Sequence, residues 1–200
     1  MACNLKNVVS NAASCKENPA GLSNYAMVVP LDSDHISAIG PHDGKPEYVI
    51  TPPQGSESLK GFRIEFKNQT GRVSSEDNGD GKAWTMTGTG RVEKNERDMA
   101  YVSRVLSNMD GKYLVFFPTG KIEDGKVEWK VVGNELGENT FQSAGDSGEA
   151  RNDDHGLTFT VTCGYQVYPT MFWYGNITKE DDPSSSDLAD DTSDMITIED

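Results

Sequence analysis

Asp153, Asp154 and His155 are three consecutive side chains that could do acid–base or metal chemistry, and a run of alternating apolar residues follows them. Carboxylates and imidazoles act as general acids and bases and bind metal ions. Consecutive residues of a turn point in different directions, however, so these three are not expected to converge on one substrate atom. Aspartate, asparagine and glycine are also the residues that a tight turn between strands requires. The group is therefore interpreted as a turn rather than as an active site.

A second segment resembles a calcium-binding loop. Glu76, Asn78 and Asp80 place oxygen-bearing side chains at alternate positions, and Gly81 follows them. A functional loop of this kind also needs a bidentate glutamate at its twelfth position, where this chain has Thr87. The segment is therefore interpreted as the polar tip of a hairpin.

Other arrangements that carry chemistry are incomplete. The histidines and cysteines are too scattered for a zinc site, since no C-x-x-C or H-E-x-x-H pattern occurs. The segment "GDSGEA" (145–150) contains Asp-Ser-Gly, but a nucleophile elbow requires glycine where Glu149 stands. We therefore expect no catalytic, metal-binding or cofactor-binding residue and no enzymatic activity. The residues considered for a metal site are His35, His42, His155, Cys3, Cys15 and Cys163.

The charge of the chain is strongly negative. Its 32 acidic and 18 basic residues give a net charge of −14, and residues 180–200 contain nine acids without a lysine or arginine. Tight binding to nucleic acid depends on clustered lysine and arginine, so such binding is not expected. No apolar run is long enough to cross a membrane. The odd number of cysteines, without an export signal, indicates free thiols in a reducing cytoplasm.

Two segments alternate apolar and polar residues, which is typical of half-buried strands. Phe62, Ile64 and Phe66 alternate with charged residues, and a second alternating run begins at Trp84. The polar, glycine-rich stretch between the two segments favours one long hairpin over residues 59–92. Further short strands are predicted at 25–31, 113–117, 126–133, 139–145, 157–168 and 171–174.

One helix is predicted, over residues 96–109. Asn95 is a suitable N-cap, and Glu96 and Asp98 place negative charge in the first turn, where the helix dipole favours it. Gly111 provides the stop. The "YLVFF" run that comes next is apolar throughout and is expected to be a buried strand. The apolar stripe of the helix, at three- and four-residue spacing, consists of Met99, Val102, Val105, Leu106 and Met109.

About eight short strands and one helix, with frequent turn signals, predict a mainly-β fold of the sandwich or barrel-like type. Residues 1–24 are interpreted as an N-terminal arm, 25–178 as the β domain and 179–200 as an acidic C-terminal arm. The C-terminal arm has the composition of a disordered segment but ends in the apolar sequence "MITI" followed by two acids. A neighbouring copy is the expected partner of this arm.

The order of these elements resembles that of the phage major tail tube protein family. The string "WKVVG", a following "LG", a small-residue "SG" segment and a "DDHG" turn before an alternating strand are similar to the C-terminal half of these proteins. The segment "CKENPAGLSNYAMVVPLDSDHISAI" is similar to their start in phages of gut Bacteroidetes, and the resemblance covers about residues 15–168. It implies two orthogonally packed antiparallel β-sheets flanked by one α-helix. It also implies six-fold rings that stack into a tail tube for DNA ejection.

The same resemblance implies a virion tail protein that is assembled in the host bacterial cytoplasm. Its partners would be copies of itself and other tail proteins, while double-stranded DNA passes through without tight binding, in keeping with the negative charge. No cofactor is implied. The residues expected at contacts between copies lie in the predicted hairpin and in the C-terminal arm: Arg72, Val73, Glu76, Asp77, Asp80, Lys82, Met195, Ile196 and Ile198.

Three alternatives stay open on the sequence. The chain could be another structural virion protein, such as a tail-associated or capsid decoration protein, or the inner tube of a contractile injection system. It could instead be a β-sandwich that binds carbohydrate through exposed Trp84, Trp129 or Trp173, although each of these lies in a run whose pattern assigns it to a core or an interface. An enzyme is the third alternative, for which no assembled group of residues was found.

Overall fold

One helix and twelve strands are formed by the residues that the structure, a computed structural model, describes: 22–79, 83–93, 96–146 and 156–180. The elements are β1 (Tyr25–Pro30), β2 (Ala38–Pro41), β3 (Tyr48–Thr51), β4 (Leu59–Glu65), β5 (Arg72–Asp77), β6 (Trp84–Glu93), α1 (Glu96–Asn108), β7 (Tyr113–Glu123), β8 (Lys126–Val132), β9 (Asn139–Asp146), β10 (Gly156–Gln166), β11 (Met171–Gly175) and β12 (Ile177–Lys179). The predicted class, a mainly-β, sandwich-like fold with one helix, is confirmed.

The described strands form three sheets. The six-stranded sheet has the order β11-β8-β7-β1-β4-β12, the four-stranded sheet has the order β5-β6-β10-β9, and β2 pairs with β3. The strand pairings are antiparallel except that of β12 with β4, which is parallel. Neither the two-stranded sheet nor β12 was predicted from the sequence. The short strand β12 brings the end of the described chain to the edge of the six-stranded sheet.

The centre of the six-stranded sheet is covered on both faces. Every residue of the predicted buried strand, Tyr113 to Phe117, is fully buried within β7. On one face Phe116 packs against Trp129 and Trp173, with ring centroids 6.3 and 5.5 Å away. Phe117 points to the other face because successive side chains of a strand alternate. Burial on both faces explains why this segment is apolar without interruption.

Two glycines of β6 leave room for aromatic rings between the sheets. A Cβ atom at Gly88 would lie 2.5 Å from the ring of Phe117, and one at Gly90 would lie 2.7 Å from the ring of Phe159. Phe159 also packs against Phe66, with the ring centroids 5.9 Å apart. Rings from both sheets and from the segment after β4 therefore fill the space that the missing side chains leave.

Helix α1 packs chiefly against β9, with its apolar stripe facing the four-stranded sheet. Met99 and Leu106 are buried, whereas Val105 is 37% exposed and lies at the margin of the predicted stripe. Asp110 and Gly111, with φ angles of 52° and 74°, end the helix as expected for a left-handed C-terminal turn. The predicted N-cap, residue 95, lies outside the described residues. No helix of the described chain is long and apolar enough to span a membrane.

The single hairpin predicted over residues 59–92 is wrong. Strand β4 pairs with β1 and β12 in the six-stranded sheet, whereas β5 and β6 form a hairpin in the four-stranded sheet. The chain turns between the two sheets, where the Thr70 N–H donates to the Lys67 carbonyl and Gln69 has a φ of 66°. Phe62, which the alternation assigned to the buried face, is 42% exposed. Alternation identifies a strand but does not determine which strand it pairs with.

Candidate interaction surfaces

The structure describes four of the predicted contact residues. Arg72, Val73, Glu76 and Asp77 lie on β5. The remaining ones, and the three residues interpreted from the sequence as a turn before β10, lie outside the described residues: Asp80, Lys82, Met195, Ile196, Ile198, Asp153, Asp154 and His155. Within the residues that are described, no three histidine, cysteine, aspartate or glutamate side chains are grouped so that they could hold a metal ion.

The segment that resembles a calcium loop lies at the end of the β5–β6 hairpin. The Thr85 hydroxyl donates to Oδ1 of Asn78 at 2.5 Å, and the Gly79 N–H donates to Oδ1 of Asp77 at 2.8 Å. The Asn78 N–H also donates to the Ala83 carbonyl at 3.0 Å. These oxygen atoms stabilise the turn, which agrees with the interpretation of the segment as a hairpin tip.

Strand β5 is one open edge of the four-stranded sheet. It pairs with β6 over Arg72–Asp77, and no described strand pairs with its other side. Successive peptide groups of a strand point to opposite sides, so the outer groups of β5 are positioned to pair with a further strand. The middle of the strand, residues 73–75, is half-buried, and charged residues stand at both ends.

Strand β9 is the opposite edge of the same sheet. It pairs with β10, and its other side has no strand partner among the described residues. Phe141 points inward and stacks on Phe159 with ring centroids 5.8 Å apart, while Thr140 and residues 142–145 are exposed. The four-stranded sheet therefore ends in β5 at one edge and β9 at the other, and neither has a second strand partner among the described residues, although α1 packs against β9.

His35 links the β12 edge of the six-stranded sheet to the segment after β1. Nδ1 of His35 lies 2.6 Å from Oδ1 of Asp32, and Nε2 lies 2.9 Å from Oε2 of Glu180, the residue after β12. The Glu180 N–H donates to the Gly61 carbonyl of β4 at 2.9 Å. Burial lowers the pKa of His35, but the hydrogen bonds to Asp32 and Glu180 and their negative charges outweigh burial, so the pKa is raised above its ordinary value. Protonated His35 thus links the segment after β1 to the end of β12.

A buried polar cluster joins three elements that are distant in the sequence. The Tyr48 hydroxyl lies 2.9 Å from the Gly133 carbonyl oxygen and 3.0 Å from Oε1 of Gln166. Nε2 of Gln166 donates to the same carbonyl at 2.7 Å and to Sγ of Cys163 at 3.1 Å. Burial raises the pKa of the Cys163 thiol to about 11, so this group is not a nucleophilic thiolate near neutral pH. Sequence reasoning missed the cluster because its members are far apart and form no motif.

Three large apolar side chains are exposed where the β8–β9 loop lies beside the end of β10 and the residue that follows it. We call Leu136, Tyr165 and Val167, which are 68%, 72% and 60% exposed, the acid-flanked patch, because Glu135 and Glu138 stand on either side of Leu136. Nδ2 of Asn134 lies 3.5 Å from the Gly164 carbonyl and so joins the β8–β9 loop to β10. Tyr165 has a φ of 58°, an uncommon conformation for a residue other than glycine.

The outer side of α1 carries a second exposed apolar surface, which consists of two residues. Tyr101 is 57% and Val105 37% exposed. Arg97 and Arg104, both exposed, lie beside them on the side facing away from the buried Met99 and Leu106. Residues 97, 101, 104 and 105 are called the arginine-flanked helix face. These two surfaces and the two open sheet edges were not identifiable from sequence pattern, since exposure depends on how the elements pack.

Two of the three tryptophans are unsuited to a carbohydrate platform. Trp129 and Trp173 are 2% and 6% exposed, and Nε1 of Trp129 donates to the Gly175 carbonyl at 2.9 Å. Trp84 is half-buried at the start of β6. A sugar ring stacks on an exposed aromatic face, so the carbohydrate-binding alternative loses two of the three tryptophans on which it depended.

The described residues thus offer surfaces for association. Open strand edges and exposed apolar side chains are features through which proteins bind other proteins. Comparisons of the chain with protein-family models, with curated proteins and with solved structures give no match.

Proposed function

We propose that the protein is a structural subunit of a phage tail, which associates with copies of itself into stacked rings that form a tube for DNA ejection. The observation that carries this proposal is the pair of open edges, β5 and β9, on opposite sides of the four-stranded sheet. The resemblance to the tail tube family supplies the expectation of a six-fold ring and of a location in the virion tail.

Pairing of β5 in one copy with β9 in the next would continue the sheet from subunit to subunit. The contact is heterologous, because the two surfaces that meet are different, and a heterologous contact closes into a ring when the rotation between copies is right. A closed ring leaves no open edge in the sheet, which removes the tendency to pair with other chains. The edge geometry therefore supports a ring-forming subunit.

Charge supports the same function. The net charge of −14 makes the chain repel the phosphates of DNA, and a conduit must not retain the molecule that passes through it. A surface rich in clustered lysine and arginine would instead bind DNA through counterion release. We expect no binding of the purified protein to double-stranded DNA at physiological salt, and tight binding that weakens with salt would contradict the conduit function.

Electron microscopy of the purified full-length chain at high concentration tests the assembly directly. We expect rings or cylinders of uniform diameter. A protein that remains monomeric at every concentration would contradict the proposal.

Two adjacent proline substitutions on β5 test whether its outer edge makes the contact. The N–H groups of Ser74 and Ser75 point to opposite sides of the strand, so one points towards β6 and the other outward. Proline removes the N–H group. We expect one of Ser74→Pro and Ser75→Pro to lower the melting temperature of the monomer. The other should leave the melting temperature nearly unchanged and abolish assembly. Two stable variants that both assemble like the unchanged chain would exclude β5 as the contact.

A further inference from the structure

The arginine-flanked helix face is an apolar surface with positive charge on one side. Going around the helix, Arg104 and Arg97 come first, then Tyr101 and Val105, with Asp98 beyond Val105. Within the described chain neither arginine forms an ion pair with a carboxylate. An occupant of this face should present apolar side chains together with carboxylates.

The last seven residues of the chain have this composition. Met195, Ile196 and Ile198 supply apolar side chains, and Asp194 precedes them while Glu199 and Asp200 follow. Apolar side chains can cover Tyr101 and Val105, while the acids pair with Arg97 and Arg104 through charge-assisted hydrogen bonds. The three apolar residues and three acids of this segment therefore match the apolar pair and the two arginines on the helix.

Charge also discriminates between the acid-flanked patch and the arginine-flanked helix face. The acid-flanked patch at Leu136 carries Glu135 and Glu138, which would repel an acidic segment. The arginine-flanked helix face would attract the same segment. Of these two surfaces, the helix face is therefore the one that suits the C-terminal residues.

We propose that residues 194–200 of one copy bind the arginine-flanked helix face of a neighbouring copy. This inference rests on the proposed function, which places copies side by side. The chain leaves the described domain at Glu180, which is held at β4. The 13 residues from 181 to 193 span up to about 43 Å when extended, which is comparable with the diameter of a domain of this size. The segment is long enough to reach an adjacent subunit.

Photo-crosslinking in the full-length chain tests this contact. Ile196 is replaced by p-benzoylphenylalanine, and unlabelled copies are mixed with isotopically heavy copies before irradiation. Trypsin cuts the helix into residues 98–104 and 105–112. We expect position 196 of one copy to crosslink to these peptides of another copy, which gives products that join a heavy peptide to a light one. Arg97→Glu with Arg104→Glu should reduce the yield roughly tenfold, because two attractive pairs become repulsive. In this variant trypsin releases the helix as the single peptide 95–112, in which the crosslink is then measured. Lys45→Glu with Lys126→Glu, which changes the net charge equally at exposed positions elsewhere, should leave the yield unchanged.

Reversal of charge on residues 194–200 provides the second part of the experiment. Asp194→Lys with Glu199→Lys, combined with the two arginine reversals, should restore crosslinking. Crosslinks that map to the acid-flanked patch, to peptides of the same copy only, or to no peptide would overturn the inference. Cylinders in electron micrographs together with such a map would refute the docking site but not the proposed function. Heavy–light crosslinks at the helix in a protein that forms no rings would refute the proposed function but not the docking site.

Discussion

Individual polar side chains in the interior differ in whether they have hydrogen-bond partners. Gln166 is 1% exposed and has partners for both ends of its amide. The hydroxyl of Tyr113 and Oδ1 of Asn139 are buried without a partner among the described residues. A buried polar group without a partner loses its hydration and gains nothing in return. Removing a buried polar group that has a partner should therefore destabilise the fold, whereas removing one that has no partner should stabilise it.

Tyr113→Phe should raise the free energy of unfolding by about 1 kcal/mol, because it removes a hydroxyl that has no partner. Tyr48→Phe is the matched control, since it deletes the same atom where the Gly133 carbonyl oxygen and Oε1 of Gln166 both lie within hydrogen-bond distance of it. It should lower the free energy of unfolding by about 1 kcal/mol. Urea denaturation of both variants checks the difference, and equal losses in the two would contradict it.

His35 should make stability depend on pH. Its pKa in the folded state is above the ordinary value of 6.5, which the unfolded chain is expected to show. The stabilisation is therefore complete below that ordinary pKa and is lost as pH rises through the folded-state pKa. Melting temperatures measured from about pH 5 to about pH 9 should converge for the unchanged chain and His35→Gln at high pH. His42→Gln removes an imidazole that contacts no carboxylate in the described structure, and it should not reproduce this convergence.

At the scale of elements, packing between the sheets depends on small residues as much as on large ones. Gly88 and Gly90 face aromatic rings closely enough that a Cβ atom would collide with them. The outermost strands β5 and β9 instead present backbone groups to the surface. The centre of the four-stranded sheet therefore determines the internal packing, and its edges are available for association.

Gly88→Ala should lower the free energy of unfolding by about 2 kcal/mol, because its Cβ would lie 2.5 Å from the Phe117 ring. Gly40→Ala in β2, where a Cβ meets nothing within 4 Å, should change it by less than about 0.5 kcal/mol. Thermal or urea unfolding of both variants measures this contrast. A Gly88→Ala variant as stable as Gly40→Ala would show that the two sheets are not packed as described.

At the scale of the whole molecule, negative charge acts against assembly while open edges favour it. Each copy carries a net charge of −14, so adjacent copies repel one another over the screening length of the solution. This repulsion is long-ranged and weak at any one contact. Strand pairing is short-ranged and strong. Added salt, which weakens the repulsion, should therefore favour assembly.

Raising sodium chloride from about 20 mM to about 150 mM should lower the concentration at which rings or cylinders appear, because salt screens repulsion between copies. Sedimentation across a dilution series at each salt concentration measures this threshold. Sucrose of matched osmolality serves as the uncharged control. Because sucrose does not screen charge, it should not lower the threshold concentration as salt does. A threshold that rises with salt would indicate that attraction between charged groups dominates assembly.

Much of the fold could be predicted where the signal is local. The helix was predicted at 96–109 and runs Glu96–Asn108, and the apolar run at 113–117 is buried as expected. The predicted strands at 126–133 and 139–145 each differ from the observed ones by one residue. Of the predicted contact residues, four lie on an open edge, and the rest lie outside the described residues.

The amino-acid sequence by itself determined the helix and most of the longer strands, because periodicity reflects whether one face of an element is buried, but it did not identify β2, β3, β5 or β12. The tertiary structure alone decided that β4 and β6 belong to different sheets, and that β5 and β9 are the edges. It also decided that Tyr48, Gly133 and Gln166 meet. Those outcomes depend on contacts between residues far apart in the chain. Periodicity shows which face of an element is buried, but it does not show which other element packs against that face.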